Sequence, residues 1–168
     1  MGKEIERKFL VSDWEDIFKN DFDSFDIQQA YINKFVRVRI IVRKNAKYVM
    51  KAYLTIKFEK RGIVRQEFEF PIPIEDAQEI ITKFKKYYID KTRYVFDYKG
   101  KTWEVDDFHG DNDGLSIAEI ELESEDEEIE IPPGIGEEVT GDLRYYNAYI
   151  SCNSYKNWGE CARGQTQT

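Results

Sequence analysis

The chain has 168 residues, the size of one domain, and its 41% hydrophobic content is enough to fill a core. Charged side chains make up 35% yet the net charge is −8, which excludes a general nucleic-acid binder, since such proteins are basic. Cys152 and Cys161 are too few for a disulfide framework or a zinc site and suit a reducing, cytoplasmic compartment; the charged start Met1-Gly2-Lys3-Glu4 lacks the apolar run of a secretion signal, and no stretch approaches the roughly 18 apolar residues of a membrane span.

Short alternating segments dominate. The first covers residues 4–10, after which Ser12 and Glu15 have capping-box spacing for a short helix. Further strands are predicted at 27–32, 35–41, 48–58 and 64–71, with a turn at Arg61-Gly62. Pro71-Ile72-Pro73 ends the last of these. A helix is predicted over 75–88, where Ala77, Ile80, Ile81, Phe84 and Tyr88 recur at helical spacing. Strands at 91–98, 102–106 and 115–123 follow, separated by Lys99-Gly100 and by the loop Asp111-Asn112-Asp113-Gly114. The acids of 119–130 run on into a solvated loop. Short helical turns are predicted at 136–139 and 144–150, and residues 151–168 form a polar, weakly ordered tail after a single domain at 1–150. Short connections favour antiparallel pairing, giving an α+β, mainly β chain of about eight strands with a few flanking helices.

The chemistry lies in what shares a face. Successive strand side chains point to opposite sides, so residues of like parity align. Glu4, Glu6 and Lys8 share one face of their strand, and Arg37 and Arg39 share another. Lys57 stands with Thr55, Glu67 and Glu69 with Arg65, and Lys91 with Arg93. Glu104 and Asp106 oppose Trp103 and Val105; Glu119, Glu121 and Glu123 oppose Ile120 and Leu122. An ordinary sheet with one wet face also alternates. Here, however, the polar residues are nearly all long and ionic, and their signs segregate by strand. About eight strands can close into an antiparallel barrel, and an interior carrying both signs needs charge partners or a bound ion. Arg and Lys suit phosphate oxygens, while clustered carboxylates suit Mg²⁺. A phosphate chain with a divalent metal satisfies both sets.

The ordered set of motifs resembles the CYTH family, also called triphosphate tunnel metalloenzymes. Glu4-Ile5-Glu6-Arg7-Lys8 matches its E-x-E-x-K signature. Val36-Arg37-Val38-Arg39, Leu54-Thr55-Ile56-Lys57, Glu67-Phe68-Glu69, Lys91-Thr92-Arg93-Tyr94, Trp103-Glu104-Val105-Asp106 and Ala118-Glu119-Ile120-Glu121-Leu122-Glu123 follow in order, and 139–147 is similar to the family's C-terminal segment. The resemblance implies an eight-stranded antiparallel tunnel in which Lys8, Arg37, Arg39, Lys57, Lys91 and Arg93 grip a small-molecule triphosphate. It implies Mg²⁺ or Mn²⁺ on Glu4, Glu6, Glu119 and Glu121, with Asp106 a further candidate. Glu67, Glu69, Glu104, Glu123 and Tyr31 stand as supporting residues, and Lys91, Glu4 and Glu6 as the catalytic set, Lys91 by helping to position or deprotonate the attacking water.

Members hydrolyse inorganic tripolyphosphate or thiamine triphosphate, and some cyclise ATP. The expected reaction is therefore metal-dependent release of the terminal phosphate of tripolyphosphate. An adenylate cyclase, a thiamine or nucleoside triphosphatase, and a non-catalytic polyphosphate-binding module are the rival readings. A monomer or homodimer is expected, with no nucleic-acid or membrane partner. The segment 42–52, with Lys44, Lys47 and Lys51, is longer and more basic than the family's usual hairpin there. His109, the sole histidine, sits in a loop as a bystander.

Overall fold

The computed structural model describes residues 2–44, 49–59, 61 and 63–159. Lys47, the start of the 48–58 segment, Gly62, Cys161 and the end of the tail from 160 onward lie outside the described residues. In chain order the elements are β1 (Gly2–Val11), α1 (Trp14–Ile17), β2 (Phe22–Asn33), β3 (Val36–Arg43), β4 (Met50–Lys57) and β5 (Val64–Pro71). They continue with α2 (Ile74–Lys83), β6 (Tyr88–Tyr98), β7 (Lys101–Phe108), β8 (Ser116–Glu121), β9 (Ile135–Glu138) and α3 (Asn147–Ile150).

Eight strands close an antiparallel barrel in the order β1-β8-β7-β6-β2-β3-β4-β5, and β5 returns to β1 with Glu4 opposite Arg65. The closing pairing uses only Gly2–Ile5 of β1, because β5 begins at Val64. That leaves the same edge of β1 bare near Val11, and a bare edge seeks a partner. The segment predicted as a helical turn at 136–139 supplies it: β9 pairs with β1, with Phe9 opposite Glu138 and Val11 opposite Ile135.

The helices also differ from expectation for local reasons. Asp13, not Ser12, caps α1, its carboxylate accepting from the Glu15 amide at 2.8 Å. Ser12 lies in the bend between β1 and the helix, donating its own amide to Gly134 O. The helix predicted to reach 88 ends at Lys83 and passes through a 3-10 turn, Lys85–Tyr87. Tyr88 is claimed instead by β6, where it pairs with Ala30 of β2.

The apolar core sits mostly outside the barrel. Outward residues of β1, β7 and β8, among them Phe9, Trp103, Val105 and Ile120, pack under Ile17 of α1 and Ile135 of β9. Ala30, Val38, Ile40 and Ala52 pack under Ala77 and Ile81 of α2. Burying each large side chain contributes roughly 1.5–3 kcal/mol, so these covers hold the barrel together from without and leave its interior to charge. A third cluster closes one end, where Ile150 of α3 meets Tyr31, Ile89, Phe108 and Ile117. The early part of the tail belongs to this end. Tyr155 donates its amide to Asn112 Oδ1 at 2.9 Å, and the ring of Trp158 meets those of Tyr145 and Tyr155.

Candidate active site

Strand parity delivers the charged faces to the barrel interior, which encloses a cavity of about 650 Å³. Glu4, Glu6, Lys8, Tyr31, Arg37, Arg39, Lys57, Glu67, Glu69, Lys91, Arg93, Glu104, Glu119 and Glu121 all line it. Asp106 lies behind this lining, fully closed from solvent, and Glu123 is exposed beyond the end of β8 and does not join the cavity. His109 is also outside, its Nε2 2.8 Å from Thr92 Oγ1 on the opposite face of β6.

The cations form two walls. On one, Lys8 pairs with Glu119 and lies 3.5 Å from Glu6. Lys91 Nζ sits 2.6 Å from Asp106 Oδ2, and Arg93 grips both oxygens of the same carboxylate, Nε at 2.6 Å and Nη2 at 2.8 Å, while also meeting Glu104. On the other wall, Arg39 Nη2 donates to Glu69 at 2.9 Å, Lys57 pairs with Glu67 at 2.8 Å, and Arg37 donates to Thr55 Oγ1 at 3.3 Å. Arg37 and Arg39 therefore lie against Glu67 and Glu69, as bidentate-capable cations held by counterions.

Proton affinities divide the acids into two kinds. For Glu119, burial alone would raise the pKa, but Lys8, Arg93 and Lys91 outweigh it and hold the carboxyl well below the usual range. Asp106 is likewise lowered, burial being outweighed by Arg93 and Lys91. Glu4 behaves oppositely: burial, only partly offset by Lys57 and reinforced by Glu6 and Glu67, pushes it up to about 7. Glu121 is raised by burial and by Glu104, Glu6 and Glu67. Glu119 and Asp106 are thus held ionised by protein cations, while Glu4 and Glu121 have raised proton affinities to which the charge of the neighbouring Glu6 contributes.

The same division appears in the cations. Burial would lower Lys8, but Glu119 and Glu6 keep it firmly protonated. Lys91 is brought down to about 8 by burial, with Arg93 adding and Asp106 opposing. Tyr31 is raised by burial against the pull of Arg37.

A hard divalent cation fits this chemistry. Among the described residues at the cavity, the eight cations Lys8, Lys34, Arg37, Arg39, Lys57, Arg65, Lys91 and Arg93 face the eight carboxylates Glu4, Glu6, Glu67, Glu69, Glu104, Asp106, Glu119 and Glu121. An interior so nearly balanced needs added positive charge before it can hold a polyanion. No three acids among the described residues are already drawn together as a metal cage. Mg²⁺ does not need one, since it is often held by one or two carboxylates with substrate phosphates and water.

The sequence profile of the CYTH domain matches residues 2–148. The chain belongs to the CYTH domain family. It is 46% identical over 165 residues to the inorganic triphosphatase of Acetivibrio thermocellus, covering 95% of this chain and 100% of that one. It is 32% identical over 152 residues to the inorganic triphosphatase of Nitrosomonas europaea, covering 88% and 96%. A crystal structure of an inorganic triphosphatase superposes with a TM-score of 0.64 at 29% identity, covering 90% of this chain and 96% of the other.

In this CYTH domain the cavity also includes residues that sequence reading did not place in the site. Arg65 lines it from β5, in step with Glu67 and Glu69; its parity was legible, but its role was not. Tyr146 and Asn147 line it from the C-terminal segment, the Tyr146 ring lying 4.9 Å from Lys8 Nζ. Nothing in strand alternation points to them, because they come from outside the barrel.

Proposed function

We propose that this chain is an inorganic triphosphatase that hydrolyses linear tripolyphosphate to pyrophosphate and phosphate. One observation carries the reading: two walls of largely buried cations line the barrel cavity together with Glu4 and Glu121, carboxylates of raised proton affinity. The names of the two inorganic triphosphatases that this chain matches along most of its length support it.

Metal dependence is general among triphosphatases of this family. Glu4, Glu6, Glu119 and Glu121 would hold the cation, read here as Mg²⁺ or Mn²⁺, with Asp106 a further candidate; Glu119 and Asp106 also pair with Lys8, Lys91 and Arg93. Bound there, it would supply charge neutralisation and a more acidic water.

The chain's own residues supply the rest. Lys8, Lys91 and Arg93 on one wall and Arg37, Arg39 and Lys57 on the other bind the phosphate oxygens from both sides, fixing the chain by charge-assisted hydrogen bonds. Their attraction grows as charge builds on the departing pyrophosphate, which lowers the barrier. Lys91 acts first as a cation, because a pKa of about 8 leaves it mainly protonated at neutral pH. Glu67, Glu69 and Glu104 orient the arginines and Lys57, and exchange them for phosphate when substrate enters. Tyr31 sits buried at the closed end, beside Arg37.

The free, exposed thiol of Cys152 supports a reducing compartment, the cytoplasm, and no helix among the described residues is long and apolar enough to cross a membrane. The test is phosphate release from tripolyphosphate, thiamine triphosphate and ATP, each with Mg²⁺ and with Mn²⁺. The reading requires tripolyphosphate to be the best substrate. Cyclic AMP from ATP would move the assignment to a cyclase, and tight tripolyphosphate binding without turnover would leave a binding module.

A further inference from the structure

Lys91 is anchored at two points, and only one of them belongs to the barrel. Its Nζ lies 2.6 Å from Asp106 Oδ2 on β7 and 3.1 Å from Asn147 Oδ1, at the start of α3. Lysine has three N–H donors and no acceptor, so the oxygen of Asn147, not its nitrogen, must face it. The same oxygen receives Gln29 Nε2 at 3.4 Å. Gln29 is fully buried, and this orientation leaves its Oε1 with no partner among the described residues. Turning the Gln29 amide would set its oxygen against Asn147 Oδ1; as placed, Gln29 Nε2 donates to both Asn147 Oδ1 and the Tyr31 hydroxyl, each at 3.4 Å.

The placement of Asn147 is itself well supported. Ile150, one turn on, is fully buried among Tyr31, Ile89, Phe108 and Ile117, and the following residues are pinned through Tyr155 to Asn112. With two of the three Lys91 N–H groups directed to Asp106 and Asn147, the third is left for the cavity that Lys91 lines.

Building on the triphosphatase reading, we propose that Asn147 is a positioning residue: it orients the Lys91 ammonium toward the bound phosphate chain, making the C-terminal segment a working part of the active site. Without Asn147 the ammonium keeps one strong hydrogen bond, to Asp106, beside the weaker contact with the Phe108 ring 5.5 Å away. Asn147 supplies a second hydrogen bond that restricts its orientation, and misorientation by small distances is costly in catalysis.

A double-mutant cycle tests it. Tripolyphosphate hydrolysis is measured in the full chain, in Asn147→Ala, in Lys91→Met and in the double variant, with thermal melting of each. Acting through Lys91, Asn147→Ala lowers kcat by about tenfold or more, with a smaller change in KM, but by less than about twofold once Lys91 is already Met. An equal loss in both backgrounds, or no loss in the single variant, overturns the proposal, because a purely structural role does not depend on the Lys91 ammonium. Asn147→Ser, too short to reach Lys91, replaces the alanine variant should that one not fold. If the unaltered chain does not hydrolyse tripolyphosphate, the triphosphatase reading fails by itself. The same cycle is then read as tripolyphosphate affinity by calorimetry, where coupling supports the positioning role and additivity overturns it.

Discussion

Asp106 holds Lys91 at 2.6 Å while its other oxygen holds Arg93 Nε at 2.6 Å, and the carboxylate has no access to solvent. One buried anion therefore sets the position of two cations that sequence reading assigned to substrate. Removing it takes from Lys91 the carboxylate it pairs with and leaves Arg93 to Glu104 and Glu119.

Asp106→Asn should accordingly destabilise the protein by about 3–5 kcal/mol, the range for breaking a buried ion pair from one side. Denaturant unfolding at neutral pH measures it. The pH dependence has a definite sign. The folded-state pKa of Asp106 lies below its ordinary value of 3.8, so its contribution is present above that value and is lost as pH falls below it. The gap between the two proteins should close in strong acid.

Glu4→Gln and Glu6→Gln each remove a carboxylate proposed to hold the cation, but neither removes a core side chain. Metal-dependent phosphate release should fall by about 100-fold or more, since the loss of even a supporting residue at a metal site commonly costs 10–100-fold. Melting temperature in the presence of a chelator should not fall. Undiminished turnover in either variant would exclude its role.

Lys91 fixes an alkaline limit. Its pKa of about 8 belongs to the ligand-free protein, so it should appear in kcat/KM. The ammonium is intact below that pH and is lost above it, so kcat/KM should decline as pH rises through about 8, approaching roughly tenfold per unit. Lys91→Arg should move the decline to higher pH, because guanidinium stays protonated there. A profile with the same alkaline limb in both proteins would assign that limb to another group.

Gly134 supports the site from a distance. Its φ is +87°, and a Cβ placed on it would come within 2.4 Å of Asp13 O, in the turn that joins β1 to α1. Gly134→Ala should cost at least about 1–2 kcal/mol from the left-handed backbone alone, before the clash is counted. Melting should drop by several degrees, with kcat in the surviving folded protein little changed.

The alternation of Glu4, Glu6 and Lys8, of Arg37 and Arg39, and of Lys91 and Arg93 determined by itself that charge and apolar residues would separate to opposite faces of the strands. It did so because side-chain direction in a strand repeats every two residues and needs no knowledge of the partner strand. The ordered motifs carried the family, and with it the closed barrel.

The tertiary structure decided the partnerships. Register across β1 and β8 set Lys8 beside Glu119, and register across β6 and β7 set Arg93 beside Asp106, so that two carboxylates expected to bind metal also pair with cations of the site. Glu123 keeps the parity of Glu121 but lies past the end of β8, where parity no longer brings a residue into the cavity. Asn147 reaches Lys91 from 56 residues away, and β9 exists because an edge of β1 was bare. Each of these depends on how distant segments meet when the sheet closes, and a short-range repeat carries no information about that.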